Sequence, residues 1–234
     1  MSKRVFTEGT EQQSQNHAVI ILASGLSQRL GQPKQLLVKH GEPLITYMTR
    51  LTTTTNPKAI VIVIPDNHHL IASTITELAN QYPTVQIVVN SQADTGMAYS
   101  LRLGIETIVA FESTSIDRVL IMGIDQVLLD EPHLMALLAG EQPVVASRYH
   151  SWQRLEKHQN RDKMVSDIIG LPLVIDYKLL RQWQSGLTGD KGLRHLIRGL
   201  PAEQIGEVDD DQLSYDIDTP EQLAYAKQQG WLDS

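Results

Sequence analysis

The sequence predicts a three-layer α/β fold built on a doubly wound, mainly parallel sheet. Short runs of Val, Ile and Leu alternate along the first half of the chain with segments of helical apolar spacing. The runs lack polar alternation, which is typical of strands buried on both faces of a parallel sheet. Strand–helix alternation of this kind produces right-handed βαβ units. Strands are predicted at 17–23, 59–64, 85–89 and 118–123, and helices at 43–51, 67–79, 97–111 and 132–139.

The second half of the chain carries weaker patterns. Strands are predicted at 144–147 and 168–175, and helices at 190–198 and 219–229. The last helix has Thr219 as its expected N-cap and Pro220 as its first residue. Because no repeat, low-complexity tract or linker interrupts the chain, we expect one domain over 17–234, preceded by a flexible polar tail at 1–16.

Composition excludes several classes of function. A net charge of −7 over 234 residues argues against a general nucleic-acid binder, which needs a positive surface. The absence of cysteine excludes disulfides and thiolate metal sites, and it is compatible with a reducing compartment. The chain has no apolar run long enough to span a membrane. We therefore expect a cytoplasmic protein with no nucleic-acid or membrane partner.

A loop rich in small and cationic residues follows the first predicted strand. It reads L-A-S-G-L-S-Q-R-L-G-Q-P-K, from Leu22 to Lys34. Small residues let backbone N–H groups approach phosphates, and Arg29 and Lys34 would neutralise their charge. The loop lacks both the ending of a P-loop and the glycine spacing of a dinucleotide fingerprint. The residues alone leave two interpretations open: a phosphate site, or an ordinary loop with a surface Arg and Lys.

A second candidate segment follows the third predicted strand. Gly96 is expected to start a helix whose free N–H groups face the ligand, with Ser100 one turn further on and able to contact base or ribose. The plainer alternative is a helix capped by Asp94 or Thr95. Gly104 is costly inside a helix, which favours a close contact at that position.

Acidic residues in two places are candidate metal ligands. Asp125 ends the fourth predicted strand, at the sheet edge where ligands of doubly wound folds bind. Asp216 and Asp218 alternate on an extended segment and therefore share one face. The alternative is that Asp125 and Asp218 only cap helices.

These segments together resemble the MobA-like nucleotidyltransferases, which include the molybdenum cofactor cytidylyl- and guanylyltransferases. The loop is similar to the family's L-A-[AG]-G-x-S-x-R-[MF]-G-x-x-K, and residues 96–104 are similar to G-M-A-x-S-L-R-x-G. Residues 123–126 resemble G-D-Q-P or A-D-Q-P, residues 216–223 resemble D-[IL]-D-T-P-E-D-L, and residues 170–172 and 189–192 resemble G-x-P and G-D-K-G. The matches run from residue 17 to about 225. The sequence departs from the family at Ser24, Leu30, Val127 and Leu171.

The resemblance implies a Rossmann-like fold of the nucleotide-diphospho-sugar transferase type. It implies Mg²⁺-dependent transfer, with Mn²⁺ as a possible substitute, of a nucleotide from a nucleoside triphosphate to the phosphate of molybdopterin or its molybdenum form. Catalytic roles fall to Arg29, Lys34 and Asp125, and metal binding to Asp125 and Asp218. The implied nucleotide-binding residues are Leu22, Ala23, Ser24, Gly25, Ser27, Arg29, Lys34, Gly96, Met97 and Ser100, and the acceptor-side residues are Gly170, Pro172, Asp190 and Lys191.

The resemblance also bears on the base and on protein partners. In the family the third position of the L-A-x-G string faces the base, where glycine accompanies guanine and a side chain accompanies cytosine. Ser24 therefore predicts CTP rather than GTP. A transient contact with a molybdoenzyme or its chaperone is a further implication.

Two other functions stay open at this point. The first is a cytidylyltransferase for a sugar, polyol or isoprenoid-precursor phosphate, since residues 33–35 resemble the P-K-Q of the isoprenoid enzymes. The second is a non-catalytic nucleotide-binding module. The basic stretch at 148–167 either lines the acceptor site or forms a solvated arm, and its cationic residues are Arg148, Arg154, Lys157, Arg161 and Lys163.

Overall fold

The computed structural model describes residues 16–66, 68–110, 115–150, 167–189 and 192–234. The strands are β1 (His17–Leu22), β2 (Val38–Lys39), β3 (Glu42–Pro43), β4 (Ala59–Pro65), β5 (Val85–Asn90), β6 (Arg118–Gly123), β7 (Val144–His150), β8 (Asp167–Asp176) and β9 (Ile205–Asp209). The helices are α1 (Leu44–Thr53), α2 (His69–Gln81), α3 (Met97–Val109), α4 (Glu131–Ala139), α5 (Tyr177–Trp183), α6 (Arg194–Ile197) and α7 (Pro220–Gln228).

A seven-stranded sheet in the order β5-β4-β1-β6-β8-β7-β9 forms the centre of the fold. Strands β5, β4, β1 and β6 are parallel, β8 is antiparallel to both of its neighbours, and β9 is parallel to β7. The predicted fold class, a doubly wound and mainly parallel sheet, is confirmed. The strand order reverses at β1, and in such sheets the ligand crevice lies outside the carboxyl ends of the strands at this reversal.

Alternate side chains of β1 enter two separate cores, which makes the fold three layers thick. Val19 and Ile21 pack with α1, α2, α4 and α7 on one face of the sheet. Ala18 and Ile20 pack with α3, α5 and α6 on the other face. All four side chains are fully buried, as expected for a strand at the centre of a parallel sheet.

Several predicted elements differ from the structure in identifiable ways. The helix predicted at 190–198 is present only as the single turn α6, and residues 190 and 191 lie outside the described residues. Helix α5 and edge strand β9 were not predicted, because α5 has 7 residues and the polar β9 is only partly buried. The cap by Asp94 or Thr95 is wrong, since Gly96 is the N-cap of α3 with no side-chain cap bond.

The end of the chain agrees with its sequence signal. Thr219 caps α7 in a complete capping box with Gln222, and Pro220 is the first helical residue. The predicted tail, apart from Asn16, lies outside the described residues. No helix in the described part of the chain is long and apolar enough to cross a membrane.

The expected close contact at Gly104 is with the sheet rather than with a ligand. A Cβ at this position would lie 2.8 Å from Cγ2 of Ile20 and 3.1 Å from its Cδ1. Ile20 is fully buried and, being β-branched, has little rotamer freedom to move away. The glycine therefore lets α3 pack directly on β1.

We expect Gly104→Ala to destabilise the protein by about 1–2 kcal/mol. Overpacking costs about 1–3 kcal/mol, and a contact of 2.8 Å with a buried β-branched side chain belongs in the upper part of this range, about 2–3 kcal/mol, while the better helix propensity of alanine returns about 1 kcal/mol. Urea unfolding measures the change, and Gly25→Ala is the control because a Cβ there meets nothing within 4 Å. Equal stability of the Gly104→Ala protein and the wild type would contradict this account of the packing.

Candidate active site

The loop after β1 is folded back on itself by a tight turn. Ser27 has a φ of 51°, which is uncommon for a residue other than glycine. Its carbonyl oxygen accepts from the N–H groups of Leu30 and Gly31, both at 3.1 Å, and its hydroxyl accepts from Lys34 N at 3.2 Å. The turn therefore returns the chain to the sheet edge and leaves Lys34 beside the end of β6.

Asp125 owes its position to a neighbouring glycine and glutamine. A Cβ on Gly123 would lie 2.8 Å from Asp125 Oδ1, so a larger residue there would displace the carboxylate from its present position. Gln126 Nε2 donates to the carbonyl oxygens of Leu171 at 2.7 Å and Leu213 at 3.1 Å. The strand end is thereby tied to two other segments that border the site.

Four charged side chains converge at this edge of the sheet. Lys34 Nζ donates to Asp125 Oδ2 at 3.1 Å and also to Asp218 Oδ1. Arg29 Nη2 donates to Asp218 Oδ2 at 2.5 Å, across 189 residues of sequence. The structure therefore brings together the two cations and the two carboxylates that the sequence singled out.

The protonation equilibria reflect this crowding of charge. Burial lowers the pKa of Lys34, but the carboxylates of Asp125 and Asp218 outweigh it and the net pKa is raised. Burial raises the pKa of Asp218, but hydrogen bonds and attraction from Lys34 and Arg29 outweigh it and the net pKa is lowered. The pKa of Asp216 is raised, first because desolvation disfavours its charged form and then because the carboxylates of Asp125 and Asp218 repel it. Asp216 is open to solvent on its remaining side.

The two carboxylates fit a divalent cation that is shared with a ligand. Asp125 and Asp218 contact the same ammonium group, so a cation in that position would reach an oxygen of each. Within the described ranges, no three metal-ligating side chains come together. Mg²⁺ commonly uses one or two carboxylates and completes its octahedron with water and substrate phosphates. The donor set therefore suits a metal that arrives with a triphosphate.

A cleft of about 620 Å³ contains most of the predicted nucleotide-binding residues. Ala93 and Asp94 line this cleft together with residues of the loop after β1. Cationic, acidic and small residues meet there, which is the combination that holds a phosphate chain and a metal ion. The predicted residues that line it are Leu22, Ala23, Gly25, Ser27, Arg29, Lys34, Asp125 and Asp218.

The remaining predicted nucleotide-binding residues lie elsewhere. The hydroxyls of Ser24 and Ser100 are buried beneath the loop and bond to each other at 2.6 Å, and Ser100 also accepts from Asn90 Nδ2 at 2.8 Å. Gly96 starts α3 with a φ of 104°, a conformation that favours glycine. Met97 lines the neighbouring cleft. Ser24, the loop residue that the family resemblance places next to the base, is therefore turned toward α3.

The neighbouring cleft has a volume of about 890 Å³ and shares Leu22 and Asp125 with the first. Gly170 lines it, whereas Pro172 stands behind it, with its carbonyl oxygen accepting from Ser147 Oγ at 2.7 Å. Asp190, Lys191 and most of the basic stretch lie outside the described residues. About half of the residues that line it are apolar, and these are Leu22, Met97, Leu101, Ile121, Ile168, Ile169, Leu171, Leu173, Leu193, Ile197 and Leu213.

Sequence reasoning missed the polar residues of this second cleft. Arg194, His195 and Arg198 line it together with Tyr149. A Cβ on Gly170 would lie 2.7 Å from the Tyr149 hydroxyl, so the glycine makes room for the phenol. The G-x-P match indicated the glycine, but no sequence spacing could relate it to a tyrosine on β7.

The sequence comparison decides the family. A model described as the MobA-like NTP transferase domain matches residues 19–207. The chain belongs to this family. No curated protein sequence matches it. The matched range contains the loop after β1 and Asp125, whereas Asp216 and Asp218 lie beyond it.

Solved structures share the fold at low sequence identity. Rv0371c from Mycobacterium tuberculosis H37Rv is 18% identical with a TM-score of 0.65, covering 91% of this chain and 98% of its own, and has also been solved as a manganese complex. The inositol-1-phosphate CTP transferase from T. maritima is 16% identical with a TM-score of 0.62, at 93% and 95% coverage. The 4-diphosphocytidyl-2C-methyl-D-erythritol synthase from Anaerococcus prevotii is 16% identical with a TM-score of 0.62, at 92% and 96% coverage.

We expect Lys34→Met to raise the affinity of the nucleotide-free protein for Mn²⁺ by about tenfold or more. The ammonium group competes with a metal for Asp125 and Asp218, and relief of about 1.4 kcal/mol of competition is sufficient for this change. Electron paramagnetic resonance titration of free Mn²⁺ measures it. Lys58→Met, which removes an exposed lysine outside both clefts, is the control. Unchanged or weaker Mn²⁺ binding by Lys34→Met would show that the carboxylates do not form a metal site.

Proposed function

We propose that this protein transfers CMP from CTP to the terminal phosphate of molybdopterin or its molybdenum form, with release of pyrophosphate. The observation that carries the proposal is the meeting of two clefts at Asp125. One cleft has the cations and carboxylates that suit a triphosphate, and the other has the size and apolar walls that suit a second substrate. Membership of a nucleotidyltransferase family supplies the class of reaction.

The reaction requires positioning and charge neutralisation more than covalent chemistry. A phosphate oxygen of the acceptor attacks the α-phosphorus of the nucleotide, and pyrophosphate leaves in line. Because the acceptor oxygen is already an anion at neutral pH, no general base is needed. The protein must hold two anions together and neutralise the charge that develops between them. Arg29 and Lys34 hold the triphosphate in this proposal.

Asp125 and Asp218 hold Mg²⁺ in this proposal, and Mn²⁺ is the expected substitute. The metal neutralises the phosphate oxygens and helps to align them. The shared contact of both carboxylates with Lys34 supports this assignment, as does the manganese complex of the fold relative Rv0371c. When a nucleotide binds, its phosphates replace the carboxylates as the partners of Lys34 and Arg29.

The acceptor cleft favours a body with large apolar faces. A polyol phosphate could use the polar side chains of the cleft but has little apolar surface to place against its aliphatic part. A fused heterocycle such as a pterin buries its faces there and keeps polar edges for Gln126, Ser214 and Tyr149. Arg194 and Arg198 supply positive charge for the acceptor phosphate. Cytidylyl transfer to a polyol or isoprenoid-precursor phosphate is the alternative that the fold relatives keep open.

The preference for CTP rests on the packing beneath the nucleotide loop. The bonded hydroxyls of Ser24 and Ser100 occupy the space that a glycine at position 24 would leave open. The expectation of CTP itself comes from the family resemblance, in which a side chain at this position accompanies cytosine. One domain over 17–234, a cytoplasmic location and a transient contact with a molybdoenzyme or its chaperone stay predictions from the sequence.

Pyrophosphate release from purified molybdopterin, CTP and Mg²⁺ is the direct test of the proposed reaction. We expect Asp125→Ala and Lys34→Ala each to lower the rate by about 10²–10³ or more, because each removes a preorganised charge next to the reacting phosphates. Asp66→Ala, at an exposed position outside both clefts, is the control and should match the wild type. Near-normal turnover by either site variant would show that the site is misplaced.

Thermal unfolding in the presence of Mg²⁺ and each nucleotide tests the choice of base. A ligand at about a hundred times its dissociation constant adds about 2.7 kcal/mol of stability, so the tighter nucleotide raises the melting temperature more. We expect CTP to exceed GTP at equal concentration. We expect Ser24→Gly to narrow the difference, because it removes the hydroxyl that fills the space beneath the loop. A larger shift with GTP would reject the cytidylyl assignment and keep the nucleotidyltransferase assignment.

A further inference from the structure

Gln35 is a buried side chain directly behind the nucleotide loop. It is 1% exposed and follows Lys34 in a short turn of 3-10 helix. Its Nε2 donates to the carbonyl oxygen of Ala23 at 2.6 Å and to that of Gly25 at 3.0 Å. Both hydrogens of the amide are therefore used on the backbone of the loop.

The orientation of this amide is fixed by its partners. If the nitrogen and oxygen were exchanged, Oε1 would face the carbonyl oxygens of Ala23 and Gly25, and acceptor would meet acceptor. In the orientation present, Oε1 is buried and no described residue donates to it. A buried acceptor without a partner lowers stability, so folding alone does not account for a glutamine here.

The two bonds control the direction of the neighbouring N–H groups. In a planar trans peptide, the carbonyl of one residue and the N–H of the next point in opposite directions. Holding the Ala23 carbonyl toward Gln35 therefore turns the N–H of Ser24 the other way, and holding the Gly25 carbonyl does the same for Leu26. In the part of the chain that the structure describes, neither N–H donates to another group.

We propose that Gln35 is a positioning residue for the triphosphate, which prepares the loop by holding its carbonyl oxygens away from the phosphates. Ala23, Gly25 and Leu26 line the nucleotide cleft, so a carbonyl turned into it would face the anion. The N–H groups of Ser24 and Leu26, both turned away from Gln35, are then available to a phosphate oxygen. Because Gln35 directly follows Lys34 in sequence, its two hydrogen bonds also connect Lys34 to this loop. The inference rests on the proposed nucleotide-binding function.

The test compares two substitutions at Gln35 with one elsewhere in the loop. Gln35→Met keeps the length of the side chain and removes the donor, whereas Gln35→Glu keeps the shape and places a carboxylate against the two carbonyls. Gln32→Met is the control, because Gln32 lies in the same loop, is exposed and lines neither cleft. Isothermal titration uses Mg²⁺ with the α,β-methylene analogue of CTP, which cannot be cleaved at the α-phosphorus. We would also measure, for each variant, the KM for CTP, the KM for the acceptor and the thermal unfolding midpoint.

We expect Gln35→Met to weaken binding of the analogue and to raise the KM for CTP by about tenfold, since two hydrogen bonds that orient the loop are lost. Gln35→Glu should weaken binding further, because it adds negative charge behind the phosphate site. The KM for the acceptor and the binding of the analogue by Gln32→Met should stay within about twofold of the wild type. A lower unfolding midpoint of Gln35→Met is also expected, because the carbonyl oxygens of Ala23 and Gly25 lose their partner, so the split between the two KM values decides the inference.

Two results would overturn the inference separately from the proposed function. The first is wild-type affinity for the analogue in folded Gln35→Met and Gln35→Glu. The second is an equal rise of both KM values together with a lower unfolding midpoint, which would indicate only a structural role. A wild-type protein that binds no nucleotide would instead overturn the proposed function, and this inference with it.

Discussion

The arrangement of the site depends on one ammonium group held between two carboxylates. Lys34 comes from the loop after β1, Asp125 from the end of β6, and Asp218 from the segment before α7. These segments meet because β1 and β6 are neighbours in the sheet and the capping box holds Asp218 N on Gln222. With Arg29 added, two cations balance two carboxylates in the absence of ligand. A metal ion and a triphosphate can enter together, because each supplies new partners for the charges that the other displaces.

The same constraint explains why the two clefts share a border. Asp125 stands where the strand order reverses, so the space on either side of it belongs to different crossover connections of the fold. In the proposed reaction, a nucleotide on one side and an acceptor on the other would be held with their phosphates adjacent. Such placement replaces an unfavourable bimolecular encounter by a reaction within one complex, and this can account for a large part of the rate. The protein needs rigid strand ends here more than reactive side chains.

The sequence was sufficient for six of the seven strands of the central sheet and for the charged centre, for a physical reason. Fully buried strands appear as continuous apolar runs, and carboxyl ends of parallel strands must meet at one edge, so residues after β1 and β6 had to converge. The direction of single side chains was less accessible. Ser24 belongs to the loop signature, yet its hydroxyl turns to Ser100, because a buried polar chain reaching Asn90 offers it a partner. Arg194 and Tyr149 line the second cleft through contacts that no spacing encodes.

A non-catalytic descendant of this family would be expected to lose features that weaken folding without a ligand. The site of this protein keeps several features of that kind. Ser27 adopts a positive φ, Gln35 buries an oxygen without a partner among the described residues, and the acidic side chains crowd until the pKa of Asp216 is raised by burial and by its neighbours. Strain and unpaired groups of this kind cluster where a protein is prepared for a ligand. Their concentration around one ammonium group and one loop argues for an active nucleotidyltransferase, because packing alone would favour their removal.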